Sequence, residues 1–166
     1  MFEEIEEILS NALPQAAASE YHPFLDQMLK DSALFANSED TLVFSHGDFH
    51  GDNLILGPGV TYGLDFTEAS EKLAVYDIVD FMKADIFRDG PVDEVDRSGI
   101  LQHNKDMFFR KYRHPINREI LDFCIRGRLL IDWIGISKEA HSKSRFQRTK
   151  FSRLADRLTL AFQYQI

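Results

Sequence analysis

The chain has 166 residues, enough for a single domain with its own hydrophobic core. With 44% hydrophobic and 28% charged residues, its composition excludes a low-complexity or disordered chain. The net charge of −8 argues against general nucleic-acid binding, and no apolar run approaches the roughly 18 residues of a membrane-spanning helix. Cys124 is the one cysteine, and the acidic amino terminus is unlike a signal peptide, so we expect a cytoplasmic protein.

Charge is unevenly distributed along the chain. Residues 1–109 carry 6 Lys and Arg against 22 Asp and Glu, whereas residues 110–166 carry 13 against 5. The basic excess is explained either by a solvated face of the last helices or by a docking surface for an acidic partner.

The first third of the domain changes from helical to strand-like patterns. Residues 1–37 predict a helical lead-in, with apolar residues at helical spacing in residues 2–13 and again in residues 24–35. Residues 41–67 then contain short apolar runs bounded by Gly and Pro, which predict three short buried strands. Gly57-Pro58-Gly59 predicts a hairpin between the second and third strands.

The remaining residues, 73–166, have the 3.6-residue period of helices. They predict a helix over residues 73–87, a more exposed helix over 94–112, a buried central helix over 116–136 and a closing helix over 145–164. The predicted fold class is α+β and mostly helical, a small β-patch followed by a helical bundle within one domain, residues 1–166.

Polar residues crowd the turns of the predicted β-patch. Asp48 and Asn53 lie in the loop between the first two strands, and Asp65 ends the third, where a hairpin can bring it alongside them. A carboxylate and an amide oxygen form a hard-oxygen site suited to Mg²⁺. A second carboxylate, held off the metal, can accept a proton from an attacking hydroxyl. This division of roles is typical of phosphoryl transfer.

Two motifs, His46-Gly47-Asp48 with Asn53 and Leu64-Asp65-Phe66, resemble the catalytic core of the aminoglycoside phosphotransferase/choline kinase family. The resemblance covers about residues 40–160 and implies the carboxy-terminal lobe of a protein-kinase-like fold, which transfers the γ-phosphate of ATP to a hydroxyl. It implies Asp48 as catalytic base and Asn53 with Asp65 as ligands of Mg²⁺ and hence of ATP.

The same resemblance assigns supporting roles. His46 would fix the loop, with its ring hydrogen-bonded in the core, and His50 would contact phosphate. Asp77 would open the following helix and brace the catalytic loop. Thr67 stands where the protein kinases have the glycine of D-F-G.

The family's amino-terminal lobe supplies a Gly-rich loop and a strand lysine that hold ATP. The first glycine here is Gly47, and Lys30, the one lysine before it, lies in a helical pattern. We therefore expect a carboxy-terminal lobe without the ATP-clamp lobe, incomplete alone, whose apolar face is covered by a partner chain or by self-association. The acceptor is expected to be a small metabolite or amino sugar, and the acidic excess would suit a cationic one.

Two other interpretations remain. The chain could be a non-catalytic binding module that uses the basic carboxy-terminal face, including Arg145, Arg148 and Arg153. It could also be a metal-dependent phosphoesterase, because Asp48-Phe49-His50 is similar to the Asp-x-His metal turn of those enzymes and residues 93–99 are faintly similar to their second motif. A zinc site at His46 and His50 has no third ligand that the spacing indicates.

Overall fold

The computed structural model describes residues 21–90 and 92–166. These residues form helices and short strands in the order α1 (His22–Phe35), β1 (Leu42–Ser45), β2 (Leu54–Gly57), β3 (Val60–Gly63), β4 (Ser70–Leu73), α2 (Val75–Met82), α3 (Gln102–Phe109), α4 (Arg118–Ile134), α5 (Lys138–Lys143) and α6 (Arg145–Ala161). Short 3₁₀ turns lie at Gly51–Asn53, Lys83–Phe87 and Val92–Glu94. The α+β, mostly helical class is confirmed, while the helix predicted in residues 2–13 lies outside the described residues.

The strands form two separate antiparallel sheets of two strands each. β1 pairs with β4, which places Ser45 opposite Ser70, and β2 pairs with β3. The predicted hairpin is confirmed: Gly57 pairs with Val60, and Gly59 has a φ of +76°, which a type II turn requires after its proline. β4 was not predicted, because Ser70–Leu73 has no apolar alternation and becomes a strand through its pairing with β1.

The prediction that the strands are buried is wrong. Phe44 and Leu56 are 78% and 79% exposed, and Leu42 and Tyr62 are also exposed. A two-stranded sheet buries its side chains only where another layer packs on it, and the core of the described residues is formed by helices instead. The apolar runs therefore predicted the strands correctly, but they did not predict that the strand side chains are exposed.

α4 is the buried central helix that the sequence predicts. The Asn117 side chain caps it by accepting hydrogen bonds from the N–H groups of Glu119 and Ile120, at 3.0 and 3.1 Å. Helices α1, α2 and α6 pack around it. The shared core includes Leu25, Met28, Val75, Ile78, Leu121, Ile125, Leu129, Leu154 and Leu158.

Charged residues are also buried on α4, which its apolar pattern did not predict. The Arg126 side chain is fully buried and donates hydrogen bonds to the carbonyl oxygens of Arg97 and Ala161. Asp122 pairs with the buried Lys105 and with Arg97. Because each buried charge has partners, these groups join the α3–α4 region to the end of α6 without leaving an isolated ion.

Two helix predictions need correction at their ends. The predicted helix over 73–87 starts only at Val75, since Leu73 ends β4, and its last turn is 3₁₀ from Lys83. The helix predicted over 94–112 is limited to Gln102–Phe109. Before it, the Asp96 carboxylate accepts hydrogen bonds from the N–H groups of Ser98 and Ile100, a local turn that competes with the helix.

The carboxy-terminal prediction is confirmed in part. α6 covers most of the predicted 145–164 segment, and the short helix α5 was not predicted. Burial raises the pKa of the Cys124 thiol to about 12, so the thiol is protonated at neutral pH. Within residues 21–90 and 92–166, every helix is too short or too polar to cross a membrane.

Candidate active site

The loop after β1 is fastened to the start of α2 by one carboxylate. Asp77, in the first turn of α2, accepts hydrogen bonds from the N–H of His46 at 2.7 Å and from the N–H of Gly47 at 2.9 Å. Gly47 has a φ of +88°, and a Cβ there would lie 2.2 Å from the carbonyl oxygen of Glu68. Because only glycine fits both the conformation and the close approach, this backbone position is tightly specified.

His46 joins this loop to the segment that carries Asp65. The residue is buried, and its ring Nε2 lies 2.7 Å from the carbonyl oxygen of Leu64. Its ring also contacts Phe66, with the ring centroids 4.4 Å apart, and Phe49 at 5.8 Å. A carbonyl can only accept, so Nε2 carries the proton in this contact.

Packing also ties the loop to the helices. The ring of Phe49 lies 5.6 Å from that of Phe81 on α2, and the Phe81 ring lies 6.0 Å from that of Phe108 on α3. Contacts between aromatic rings therefore connect the polar loop to helices α2 and α3.

Asp48 lies in a small hydrogen-bonded cluster with half of its side chain exposed. The Asn53 Nδ2 donates to the Asp48 carbonyl oxygen at 2.9 Å and to Asp48 Oδ2 at 3.1 Å. His50 Nε2 also lies 3.3 Å from Asp48 Oδ2. The second oxygen, Oδ1, accepts no hydrogen bond from any described residue.

His50 contacts three neighbours in this loop. The Asp52 N–H donates to His50 Nδ1 at 3.3 Å, and His50 Nε2 lies 3.3 Å from both Asp48 Oδ2 and Asn53 Nδ2. His50 therefore contacts Asp48 directly, an arrangement that the sequence did not predict.

Strand pairing brings Leu64, the residue before Asp65, next to Asn53. The N–H of Leu64 donates to the carbonyl oxygen of Asn53 at 2.9 Å, which extends the β2–β3 pairing beyond Leu54 and Gly63. Asp65 follows Leu64 directly. Since the Asn53 Nδ2 is turned toward Asp48, its Oδ1 accepts no hydrogen bond within the described part of the chain.

Asp65 is exposed, and its backbone is in the left-handed region, with a φ of +53°. The Thr67 hydroxyl donates to Asp65 Oδ1 at 2.7 Å. Hydrogen bonds from the hydroxyl and the backbone N–H of Thr67 lower the pKa of Asp65, so its carboxylate is ionised at neutral pH.

These donors fit a magnesium ion. Asn53 offers an amide oxygen and Asp65 an ionised carboxylate oxygen, and Mg²⁺ commonly takes one or two such ligands together with phosphate oxygens and water. The Asp48 carboxylate is bonded to the amide nitrogen of Asn53 and not to its amide oxygen, so it is a candidate for proton transfer.

The phosphoesterase interpretation gains no support from the geometry. Among the residues that the structure describes, no three His, Cys, Asp or Glu side chains are grouped to hold a metal. Asp96, in the segment similar to the second motif of those enzymes, pairs with Lys105 and accepts from the Ser98 hydroxyl at 2.6 Å. The predicted residues His46, Asp48, His50, Asn53 and Asp77 instead lie in one network around the β1–β2 loop, with Asp65 beside it.

Sequence reasoning missed two contributors. Gly47 was noticed only as part of a motif, although its position between His46 and Asp48 indicated a tight turn. Thr67 was noted only as a departure from D-F-G, although a hydroxyl two residues after an aspartate is a common local hydrogen-bond donor.

A comparison with protein families finds a match over more than half of the chain. The family model described as "Phosphotransferase enzyme family" matches residues 3–109, which include every predicted site residue. The chain belongs to the phosphotransferase enzyme family. Searches of curated proteins and of solved structures find no match for it.

Proposed function

We propose that this chain is the catalytic, carboxy-terminal lobe of a small-molecule kinase that transfers the γ-phosphate of ATP to a hydroxyl group. Family membership supports phosphoryl transfer as the reaction class. The small paired strands followed by a helical core support a protein-kinase-like arrangement of the lobe.

One observation carries the proposal. Asn53 uses its amide nitrogen to hold the Asp48 carboxylate, and the residue before Asp65 is hydrogen-bonded to the Asn53 carbonyl oxygen. This arrangement supports a base and two hard-oxygen donors held by one loop and one hairpin, as positioning-dominated phosphoryl transfer requires.

In the proposed mechanism, Asp48 Oδ1 accepts the proton of the acceptor hydroxyl. The hydroxyl oxygen forms a bond to the γ-phosphorus, the bond from that phosphorus to the β–γ bridging oxygen breaks, and ADP leaves. When bound by Asn53 and Asp65, Mg²⁺ would neutralise charge on the phosphate oxygens. His50, whose Nε2 lies 3.3 Å from Asp48 Oδ2, would contact a phosphate oxygen once ATP binds.

Two exposed apolar side chains of the β2–β3 hairpin support ATP as the donor. Ile55 and Tyr62 are paired across the two strands, share one face and are both exposed, on the hairpin that carries Asn53 and Asp65 at its ends. An apolar surface beside a phosphate site is the environment that a purine base takes. A partner chain or a second copy is the other occupant that this surface suits, and sedimentation velocity with and without MgATP distinguishes the two.

A ³¹P NMR assay tests the proposed function. The protein is incubated with ATP and Mg²⁺ and with hydroxyl acceptors of different classes, including amino alcohols, amino sugars and hydroxy amino acids. We expect a phosphate monoester and ADP with one class, formed slowly because no glycine before Gly47 provides a Gly-rich loop over ATP. Cationic acceptors should be favoured by the acidic excess of residues 1–109. Removing Mg²⁺ with EDTA should abolish the product and adding Mg²⁺ back should restore it, whereas no monoester with any class would contradict the proposal.

No specific observation favours the binding-module alternative. Arg153 pairs with Asp89 and donates to the Ile86 carbonyl oxygen at 3.1 Å, and Arg148 donates to the Ser142 carbonyl oxygen at 2.9 Å. Of the three arginines named for a basic docking face, Arg148 and Arg153 thus make contacts within the protein.

A further inference from the structure

The Asp65 carboxylate depends on a single neighbour for its orientation. The side chain is exposed, and the one hydrogen-bond partner of its carboxylate among the described residues is Thr67. An exposed aspartate without a partner samples several rotamers and loses that freedom when it binds a metal. A donor that fixes the carboxylate beforehand lowers this entropic cost.

The backbone of Asp65 makes the contribution of Thr67 more important. A φ of +53° is a left-handed conformation that is unfavourable for residues other than glycine, although aspartate tolerates it through local hydrogen bonds. Thr67 supplies such a bond, from its hydroxyl to the carboxylate of Asp65. The turn and the side-chain orientation therefore stabilise each other.

The two oxygens of the carboxylate have different roles in this arrangement. Thr67 Oγ1 occupies Oδ1 at 2.7 Å, while Oδ2 accepts no hydrogen bond within the described residues. One oxygen is held by the protein and the other is available as a ligand, which is how partners around a metal site orient its ligands.

We propose that Thr67 is a positioning residue, whose hydroxyl holds Asp65 in its metal-binding orientation before the metal arrives. This inference rests on the proposed function, because it requires Asp65 to be a metal ligand. It makes the hydroxyl at position 67 a requirement of this chain at the place where the protein kinases have glycine.

Manganese broadening of NMR signals tests the inference without an activity assay. Uniformly ¹⁵N-labelled protein is titrated with Mn²⁺ alone, and the apparent dissociation constant is taken from the broadening of the amide signals of Asn53, Leu64 and Asp65. Thr67→Val keeps the branched shape and removes the hydroxyl, and it should weaken Mn²⁺ binding about tenfold, as lost outer partners do at other metal sites. Thr67→Ser restores the hydroxyl and should bind within about twofold of the parent.

Thr61→Val is the matched control, because Thr61 is an exposed threonine on β3 of the same hairpin and makes no side-chain hydrogen bond within the described residues. It should bind Mn²⁺ as the parent does. Equal affinity in parent and Thr67→Val would overturn the inference, and so would a failure of Thr67→Ser to restore binding. Asp65→Asn distinguishes a failure of the role of Thr67 from a failure of the proposed metal site. If Asp65→Asn leaves Mn²⁺ binding unchanged, Asp65 is not a metal ligand and the proposed metal site is wrong as well.

Discussion

Replacing Asp48 by asparagine is expected to lower the rate of phosphoryl transfer by a factor of about 10²–10⁴, the range for loss of a general base. Asparagine has nearly the same shape, and its carbonyl oxygen can still accept the hydrogen bond that Asn53 Nδ2 donates to Asp48 Oδ2. It cannot accept the proton of the attacking hydroxyl. The loss should therefore appear in kcat, while the affinity for MgATP, which depends on Asn53 and Asp65, stays close to that of the parent.

Asp52→Asn is the control for this experiment. Asp52 lies on the same loop, carries the same charge and has a fully exposed side chain. Steady-state kinetics with the acceptor found by ³¹P NMR should show parent-like kcat for Asp52→Asn. An Asp48→Asn protein with more than about one tenth of the parental kcat would contradict the assignment of Asp48 as base.

Replacing Asp77 by alanine is expected to destabilise the protein by roughly 2–4 kcal/mol, because two hydrogen bonds to a charged acceptor are lost together. These bonds hold the N–H groups of His46 and Gly47 at 2.7 and 2.9 Å. Without them the loop that carries Asp48 loses its attachment to α2. The free energy of unfolding, measured by urea denaturation, should fall by this amount, and kcat should fall as well.

Glu71→Ala removes an exposed acid from the neighbouring strand β4, where the Glu71 side chain makes no hydrogen bond or ion pair within the described residues. Its unfolding free energy should stay within about 0.5 kcal/mol of the parent. If Asp77→Ala were no more destabilising than Glu71→Ala, Asp77 would not brace the loop.

The sequence predicted the parts of the fold that depend on local periodicity. α4 was found because apolar residues surround it, and the hairpin was found because Pro58 and Gly59 specify the turn. β4 was missed because its strand conformation comes from pairing with β1, and Ser70–Leu73 carries no apolar alternation of its own. The exposure of Phe44 and Leu56 could not be predicted, since an apolar run does not reveal whether another layer covers it.

The sequence indicated which site residues lie in the same region, but it did not indicate their individual contacts. The spacing of Asp48 and Asn53 and the hairpin before Asp65 indicated that these side chains approach one another. The Leu64–Asn53 hydrogen bond brings the residue before Asp65 next to Asn53. The contact between His50 and Asp48 was not predictable, because it depends on the backbone conformation of the loop that carries both residues. The role of Thr67 depends in the same way on the left-handed turn at Asp65.

Calorimetric titration with MgATP tests the central claim most directly. The claim is that Asp65, with Asn53, holds the magnesium ion of a bound nucleotide. The parent protein should bind MgATP, and Asp65→Ala should abolish that binding while its urea denaturation shows a folded protein. Equal MgATP binding by parent and Asp65→Ala, or binding by neither, would contradict the account.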